Sequence, residues 1–255
     1  MANNPVLSVQ KALDILDILA FEDPGRQGFR LSELSERTGI RPNTLHNLLR
    51  TMISGEYVQQ LENARYAAGV KIERIGTLSF LARQDIPGGL AEIMRRLRDE
   101  TGENVLFCVL SGGKWIRVLE LASQGAIRVD TTVIAECNIY EKASGRVMIA
   151  YCSPQELSQV VERWGMPGAL WDGIVTPQRL DDARQAIRES GYCEMLTVGG
   201  SISALGVPVL TRDGKLIGCI GVYSPAFRCD ADRKREIREK AFAAAAMMQR
   251  GIRGE

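Results

Sequence analysis

A helix, a glycine turn, a second helix and a short hairpin follow one another over residues 31–65, and this order constrains the fold more than any other feature of the chain. Ser32 can cap the first helix, predicted over residues 33–38, because its hydroxyl accepts a backbone N–H that would otherwise lack a partner. Gly39 makes the turn, and Pro42 suits the first position of the second helix. Apolar residues then recur at helical spacing, at Leu45, Leu48, Leu49 and Met52. The pattern predicts a winged helix-turn-helix.

The other face of the second helix carries hydrogen-bonding side chains that can reach base edges and phosphates in a DNA major groove. The predicted DNA-binding residues are Arg41, Asn43, Thr44, His46, Asn47, Arg50 and, in the hairpin, Arg65. We expect Arg50 and Arg65 to contact phosphates, which position the protein, and the uncharged side chains to read bases. A helix face that only contacts solvent is the alternative, but the adjoining turn and the predicted wing strands, 57–61 and 65–67, favour DNA.

The charge of the chain gives no general argument for nucleic acid. The net charge is +1, and residues 1–70 contain seven basic and eight acidic side chains, which leaves −1. A DNA-binding module usually has a basic excess, because counterion release from phosphates supplies most of the non-specific affinity. We therefore expect one protomer to bind DNA weakly and dimerisation to recover the affinity.

Length and composition indicate a two-domain globular protein. The chain has 255 residues, of which 45% are hydrophobic and 25% are charged, and no apolar run approaches the roughly 18 residues of a membrane span. The first residues lack the basic and apolar regions of a signal peptide, which predicts a cytoplasmic location and no membrane partner.

Six cysteines occur without C-x-x-C spacing, so we expect reduced thiols and neither a metal site nor a cofactor. They are Cys108, Cys137, Cys152, Cys193, Cys219 and Cys229.

The predicted organisation is α+β, with a DNA-binding domain over residues 1–69, a linker helix over 70–84 and a second domain over 85–255. Apolar positions at helical spacing predict the linker helix. In the second domain, strands at both ends and helices between them predict a mixed sheet backed by helices. The predicted strands are 105–110, 115–121, 127–133, 192–198, 205–210 and 216–222. The predicted helices are 90–100, 144–151, 154–164, 177–190 and 231–249.

Several segments together resemble the IclR family of bacterial transcriptional regulators. They are SVQKALDILDIL, LSELSERTGIRPNTLHNLLRTM, ARYAAGVKIERIG, SGRVMIAY and ISALGVPVLTRDGKLIGCIGVYSP. The resemblance implies a winged helix-turn-helix joined by a helix to a GAF-like effector-binding domain. It also implies a homodimer or dimer of dimers that binds palindromic double-stranded DNA operators and responds to a small organic acid or an aromatic metabolite.

Several departures from the family pattern concern its two sites. Asn43 and Asn47 stand where the family typically has Ser and Arg, so an operator sequence cannot be transferred from relatives. In the effector domain, Gly221 and Tyr223 stand where small polar residues often line the pocket. Tyr223 would fill part of that cavity or stack on a ring, which favours a larger or aromatic effector.

The family resemblance places candidate ligand-binding residues in the second domain. The start of a helix at Ala143, Ser144 and Gly145 offers backbone N–H groups that attract anions, although Ser144 could simply cap this helix. Glu194 aligns with a position that is often acidic in the family, and it could equally be a surface residue. Pocket walls are predicted at Ala204, Gly221 and Tyr223.

Two other function classes compete with a ligand-responsive regulator. An enzyme acting through a cysteine nucleophile needs a base, most often histidine, and His46 on the predicted DNA-binding helix is the only histidine. We therefore predict that the protein is not an enzyme. A regulator that senses oxidation is the other alternative, with Cys229 beside Arg228 as the candidate thiol.

Overall fold

The computed structural model describes residues 6–23, 27–72, 74–76 and 89–251. The chain divides into two compact units, one ending at Thr77 and the other beginning at Leu78. Within the predicted linker helix, residues 70–72 and 74–76 are helical, and residue 73 and the stretch 77–84 lie outside the described residues. The same holds for residues 85–88, where the second domain was predicted to begin.

Three helices and a small sheet form the first unit. They are α1 (Leu7–Phe21), α2 (Leu31–Thr38), α3 (Pro42–Ser54), β1 (Val58–Gln60) and β2 (Tyr66–Ala68). Gly39 adopts the left-handed conformation, with φ of 67°, that turns the chain from α2 to α3. The predicted cap at Ser32 is wrong, because α2 begins at Leu31 and the carboxylate of Glu33 accepts the Arg30 N–H at 2.7 Å.

The hairpin after α3 gains a third segment that the sequence did not indicate. β1 and β2 pair in antiparallel fashion, as predicted for the wing. Phe29, which was predicted to lie in a loop, exchanges two backbone hydrogen bonds of 2.8 Å with Tyr66. The wing is thereby tied to the segment that leads into α2.

The second unit is α+β, as predicted, and is built around a five-stranded sheet in the order β4-β3-β7-β6-β5. Its strands are β3 (Asn104–Ser111), β4 (Lys114–Leu121), β5 (Cys193–Thr197), β6 (Ile202–Leu210) and β7 (Leu216–Pro225). The sheet was expected to be mixed, but every pair of neighbouring strands is antiparallel, because hairpins or short loops join β3 to β4, β5 to β6 and β6 to β7.

The predicted strand 127–133 is wrong. Its last residues belong to a short helix, α5 (Thr131–Glu136), and the residues before it form no strand. The side chain of Asp130 accepts the Thr132 N–H at 2.9 Å, and this N-cap begins the helix where β-branched residues had favoured a strand.

Helices cover both faces of the sheet, and strand alternation decides which residues meet them. On one face, Phe107, Val207 and Ile220 pack with α4 (Gly89–Thr101) and α9 (Ala231–Gly251). On the other face, Leu106, Ala204 and Tyr223 pack with three helices. These helices are α6 (Ala143–Tyr151), α7 (Pro154–Trp164) and α8 (Pro177–Ser190).

Candidate functional site

The polar side chains predicted to bind DNA lie on one exposed face of α3, apart from Arg65. The opposite face of α3 buries Leu45, Leu49 and Met52 in the core of the first unit. This packing orients the helix and leaves the polar side chains accessible. The exposed residues are Arg41, Asn43, Thr44, His46, Asn47, Arg50 and Thr51.

Arg65 does not belong to this exposed set. Its Nε donates to the Gly28 carbonyl at 2.8 Å, and its Nη2 lies 3.0 Å from Oε2 of Glu33. The Arg30 N–H and, more weakly, the Arg65 guanidinium lower the pKa of the Glu33 carboxyl, which keeps this partner charged. The guanidinium thus links the wing to α2, and its contact with phosphate stays a prediction.

Six of the seven predicted ligand-binding residues come together on the face of the sheet that packs against α6. Ala143, Ser144 and Gly145 form the first turn of α6, and all three are buried. On the sheet, Ala204 pairs directly with Tyr223, and the Tyr223 ring lies over Gly221, where an added Cβ would approach Cε2 of the ring to 2.9 Å. The residues that the family resemblance placed in a pocket therefore form one contiguous buried group.

A buried chain of hydrogen bonds joins this group to β4. The indole Nε1 of Trp115 donates to Oγ of Ser144 at 2.9 Å, and Oγ lies 3.1 Å from the Tyr223 hydroxyl. Burial raises the pKa of Tyr223, so its hydroxyl keeps its proton. The site thus offers hydroxyl donors and acceptors beside an indole ring.

Glu194, the seventh predicted residue, lies on the opposite face of the sheet. It pairs with Leu205, which belongs to the core under α9. Its carboxylate lies 3.1 Å from Nζ of Lys234 and 3.5 Å from Nη1 of Arg238. Side chains alternate between the two faces of a sheet along each strand, and Glu194 is on the face opposite Ser144 and Tyr223. The predicted ligand contact of Glu194 is therefore corrected.

The site contains charged residues that the sequence analysis missed. Nη1 of Arg117 lies 2.7 Å from Oε2 of Glu120, and the hydroxyl of Thr131 donates to Oε1 of the same carboxylate. Lys142, directly before α6, donates from Nζ to the Ala135 carbonyl at 3.1 Å. The only signal in the sequence was the presence of charged residues within the apolar strand β4 and beside the small residues that begin α6.

Lys142 is the most perturbed of these charges. Its side chain is 4% exposed, and its Nζ lies 4.2 Å from the centre of the Trp115 ring. Burial lowers the pKa of Lys142 to about 8.

The thiols have the properties of core residues. Burial raises the pKa of Cys152 and Cys193 to about 11, and it raises those of Cys108 and Cys219 as well. Cys229, the candidate redox sensor, is also buried. Thiolate is the reactive form of cysteine, so these environments disfavour oxidation.

Within the part of the chain that the structure describes, no three His, Cys, Asp or Glu side chains are grouped so that they could hold a metal ion. Among the described helices, none is both long enough and apolar enough to cross a membrane.

Family models match both units. The model described as IclR helix-turn-helix domain matches residues 8–62, and the model described as bacterial transcriptional regulator IclR C-terminal matches residues 78–250.

Two curated proteins of Escherichia coli are similar along nearly their whole lengths. The HTH-type transcriptional regulator XynR is 24% identical over 252 residues, which are 97% of each chain. The transcriptional repressor IclR is 24% identical over 250 residues, which are 96% of this chain and 89% of that protein.

Solved structures agree in fold. The IclR protein of Thermotoga maritima superposes with a TM-score of 0.55 and 19% identity, covering 96% of this chain and 98% of that one. An IclR homologue of Microbacterium hydrocarbonoxydans, complexed with 4-hydroxybenzoate, superposes with a TM-score of 0.53 and 14% identity, covering 95% and 99%. The family-model matches, which span both units, show that this chain belongs to the IclR family of bacterial transcriptional regulators.

Proposed function

We propose that this regulator binds a palindromic operator through α3 of two protomers and that a small organic acid or aromatic metabolite controls this binding. The exposed polar face of α3, set on a buried apolar stripe, is the observation that carries the proposal. A recognition helix needs such an arrangement, because its side chains must reach base edges while the helix stays anchored in its domain. The protein would act in the cytoplasm, where bacterial DNA lies.

The proposed working form is a homodimer or a dimer of dimers. One DNA-binding domain, residues 1–69, has a net charge near zero and offers few exposed cations on α3, so a second copy supplies the missing affinity. Two-fold symmetry of the protein matches the symmetry of a palindrome, with half-sites one helical turn or a multiple of it apart. The linker, residues 70–84, would transmit the effector signal to this spacing.

The effector would bind beside the first turn of α6. Ser144 and Tyr223 supply hydroxyl groups there, and the Tyr223 ring lies beside Ala204 and over Gly221. The 4-hydroxybenzoate in the Microbacterium homologue supports an aromatic acid as the type of compound to test first. The redox alternative loses support, because Cys229 is buried and most other thiols have raised pKa values.

Replacing Asn47 with alanine tests base reading by α3. The Asn47→Ala protein should bind its own promoter region about 5- to 150-fold more weakly, because a bidentate contact of asparagine with adenine contributes about 1–3 kcal/mol. Binding to random duplex should change little. Fluorescence anisotropy with both duplexes measures this difference.

Gln155→Ala, on the exposed surface of α7, is the matched control and should bind both duplexes as the wild type does. Equal losses on promoter and random DNA would contradict base reading by Asn47. A wild-type protein that does not distinguish its promoter region from random duplex at low salt would contradict the proposed function.

A further inference from the structure

Lys142 is a buried cation without a carboxylate partner. No carboxylate oxygen among the described residues lies within 4 Å of its ammonium nitrogen. An ammonium group has three N–H donors, and one of them is used by the Ala135 carbonyl at 3.1 Å. The Trp115 ring compensates part of the charge from 4.2 Å. A buried charge without a counterion is costly, so this position favours an anion from outside the chain.

Arg117 brings a second cation to the same region. Arg117 pairs with Cys108, which lies in the core on the α6 side of the sheet, and Lys142 lies over the Trp115 ring of the same strand β4. Nη1 of Arg117 lies 2.7 Å from a Glu120 oxygen, yet it is buried and out of line for a hydrogen bond with any described residue. Glu120 thus lies beside Arg117, whereas Lys142 has no carboxylate oxygen within 4 Å among the described residues.

The uncompensated charge adjoins the group of residues proposed to bind the effector. The indole of Trp115 contacts Lys142 through its ring and Ser144 through its Nε1. Ser144 in turn contacts the Tyr223 hydroxyl. Cation, indole ring and hydroxyl groups thus follow one another along a single buried surface.

We propose that Lys142 and Arg117 form the anion subsite of the effector site and bind the carboxylate of a monoanionic organic acid. This inference rests on the proposed effector site beside α6. A single carboxylate would supply the close counterion that Lys142 lacks among the described residues. The rest of the acid extends toward Trp115, Ser144 and Tyr223.

Binding of the carboxylate would alter contacts of α5. Two hydrogen bonds connect this helix to the subsite, one from Thr131 to Glu120 and one from Lys142 to the Ala135 carbonyl. A ligand carboxylate is a stronger acceptor for an ammonium group than a neutral carbonyl. Lys142 therefore exchanges Ala135 for the ligand, which releases the C-terminal end of α5.

Thermal melting of the full-length protein tests the subsite. The probes are sodium benzoate, 4-hydroxybenzoate, pyruvate and acetate at constant ionic strength, with benzamide and 4-hydroxybenzamide as neutral counterparts. At least one carboxylate should raise the Tm of the wild type by several degrees, and its amide should not. Lys142→Met should lose the shift and bind that acid at least about tenfold more weakly in calorimetry. Lys215→Met, an exposed lysine of the same unit, should keep it.

The ligand-free variant provides a second measurement. If Lys142 is an uncompensated cation, Lys142→Met should melt at the same temperature as the wild type or higher. The subsite is wrong if no carboxylate shifts the wild type, if Lys142→Met responds as the wild type does, or if the ligand-free variant melts well below it. Promoter binding without ligand is measured on the same samples, so a failure of the regulator proposal is recognised separately.

Discussion

At the scale of single residues, burial decides which charged side chains have unusual chemistry. Arg65 and Glu194 form ion pairs with partners in their own units. Lys142 has no such partner among the described residues, and its pKa is lowered to about 8. The neighbouring titratable or charged groups on the elements around it are Cys108, Arg117, Glu120, Cys137 and Glu141. Burial is the main cause of the lowered pKa; the charge of Arg117 acts in the same direction, whereas Cys137, Cys108 and Glu141 oppose it.

The lowered pKa of Lys142 predicts a pH dependence of stability. An unfolded chain holds this proton up to pH about 10.5, whereas the folded protein releases it near 8. Between these values the unfolded state binds more protons, so the free energy of unfolding rises with pH, by an amount on the order of 3 kcal/mol for this group. Below pH 8 both states hold the proton and the contribution is constant.

Urea unfolding at pH 7.5 and 10 measures this effect as the difference between wild type and Lys142→Met. Other groups, such as the buried thiols, titrate in both proteins and cancel in the comparison. The wild type should gain stability relative to the variant as the pH rises. A difference between the two proteins that does not change with pH would mean that Lys142 keeps an ordinary pKa in the fold.

At the scale of elements, α6 is held at both ends. Near its start, Gly206 of β6 lets the backbone of α6 approach closely, because a Cβ there would lie 2.7 Å from the Ala143 carbonyl oxygen. At its C-terminal end, Arg184 donates to the Ile149 carbonyl at 2.8 Å and Arg188 to that of Ala150 at 2.7 Å. These contacts fix the position of Ser144 above the sheet.

Gly206→Ala should therefore disturb both stability and the effector site. The added methyl group meets backbone atoms on α6 that cannot rotate away, so we expect a loss of about 1–3 kcal/mol in the free energy of unfolding. Any carboxylate shift in Tm should also shrink, because Ser144 moves. Gly76→Ala is the control, since a Cβ there meets nothing within 4 Å. Equal stability of Gly206→Ala and wild type would show that α6 is not held at this contact.

At the scale of the whole molecule, the two units carry different tasks in one chain. The first unit presents α3, and the second contains the proposed effector site. A ligand can change DNA binding only if it binds the DNA-competent and incompetent forms with different affinity. In the proposed dimer each cation on α3 counts twice, once for each protomer.

This duplication predicts how salt acts on operator binding. Replacing Arg50 by alanine removes one phosphate contact from each protomer, so the slope of log affinity against log salt should become less steep by about 2. Arg65→Ala should change the slope less, because its guanidinium already binds Glu33. Anisotropy titrations over a salt series measure the slopes. A slope that changes as much in Arg65→Ala as in Arg50→Ala would contradict this difference.

Local residue patterns are sufficient to predict the elements that depend on nearby residues. Gly39, Pro42 and the apolar spacing of α3 act within one or two helical turns, so they predict the helix-turn-helix without any knowledge of the rest of the chain. The six candidate effector-site residues that lie together on one face of the sheet came from the family resemblance and not from such local patterns.

Only the tertiary structure decided which charges meet. Arg65 and its partner Glu33 are separated by 32 positions in sequence, and the side of the sheet that Glu194 occupies depends on its register with β6. The burial of Lys142 results from β4, α5 and α6 coming together around it. Ion pairing and desolvation arise from contacts between distant segments, and local patterns of residues do not encode them.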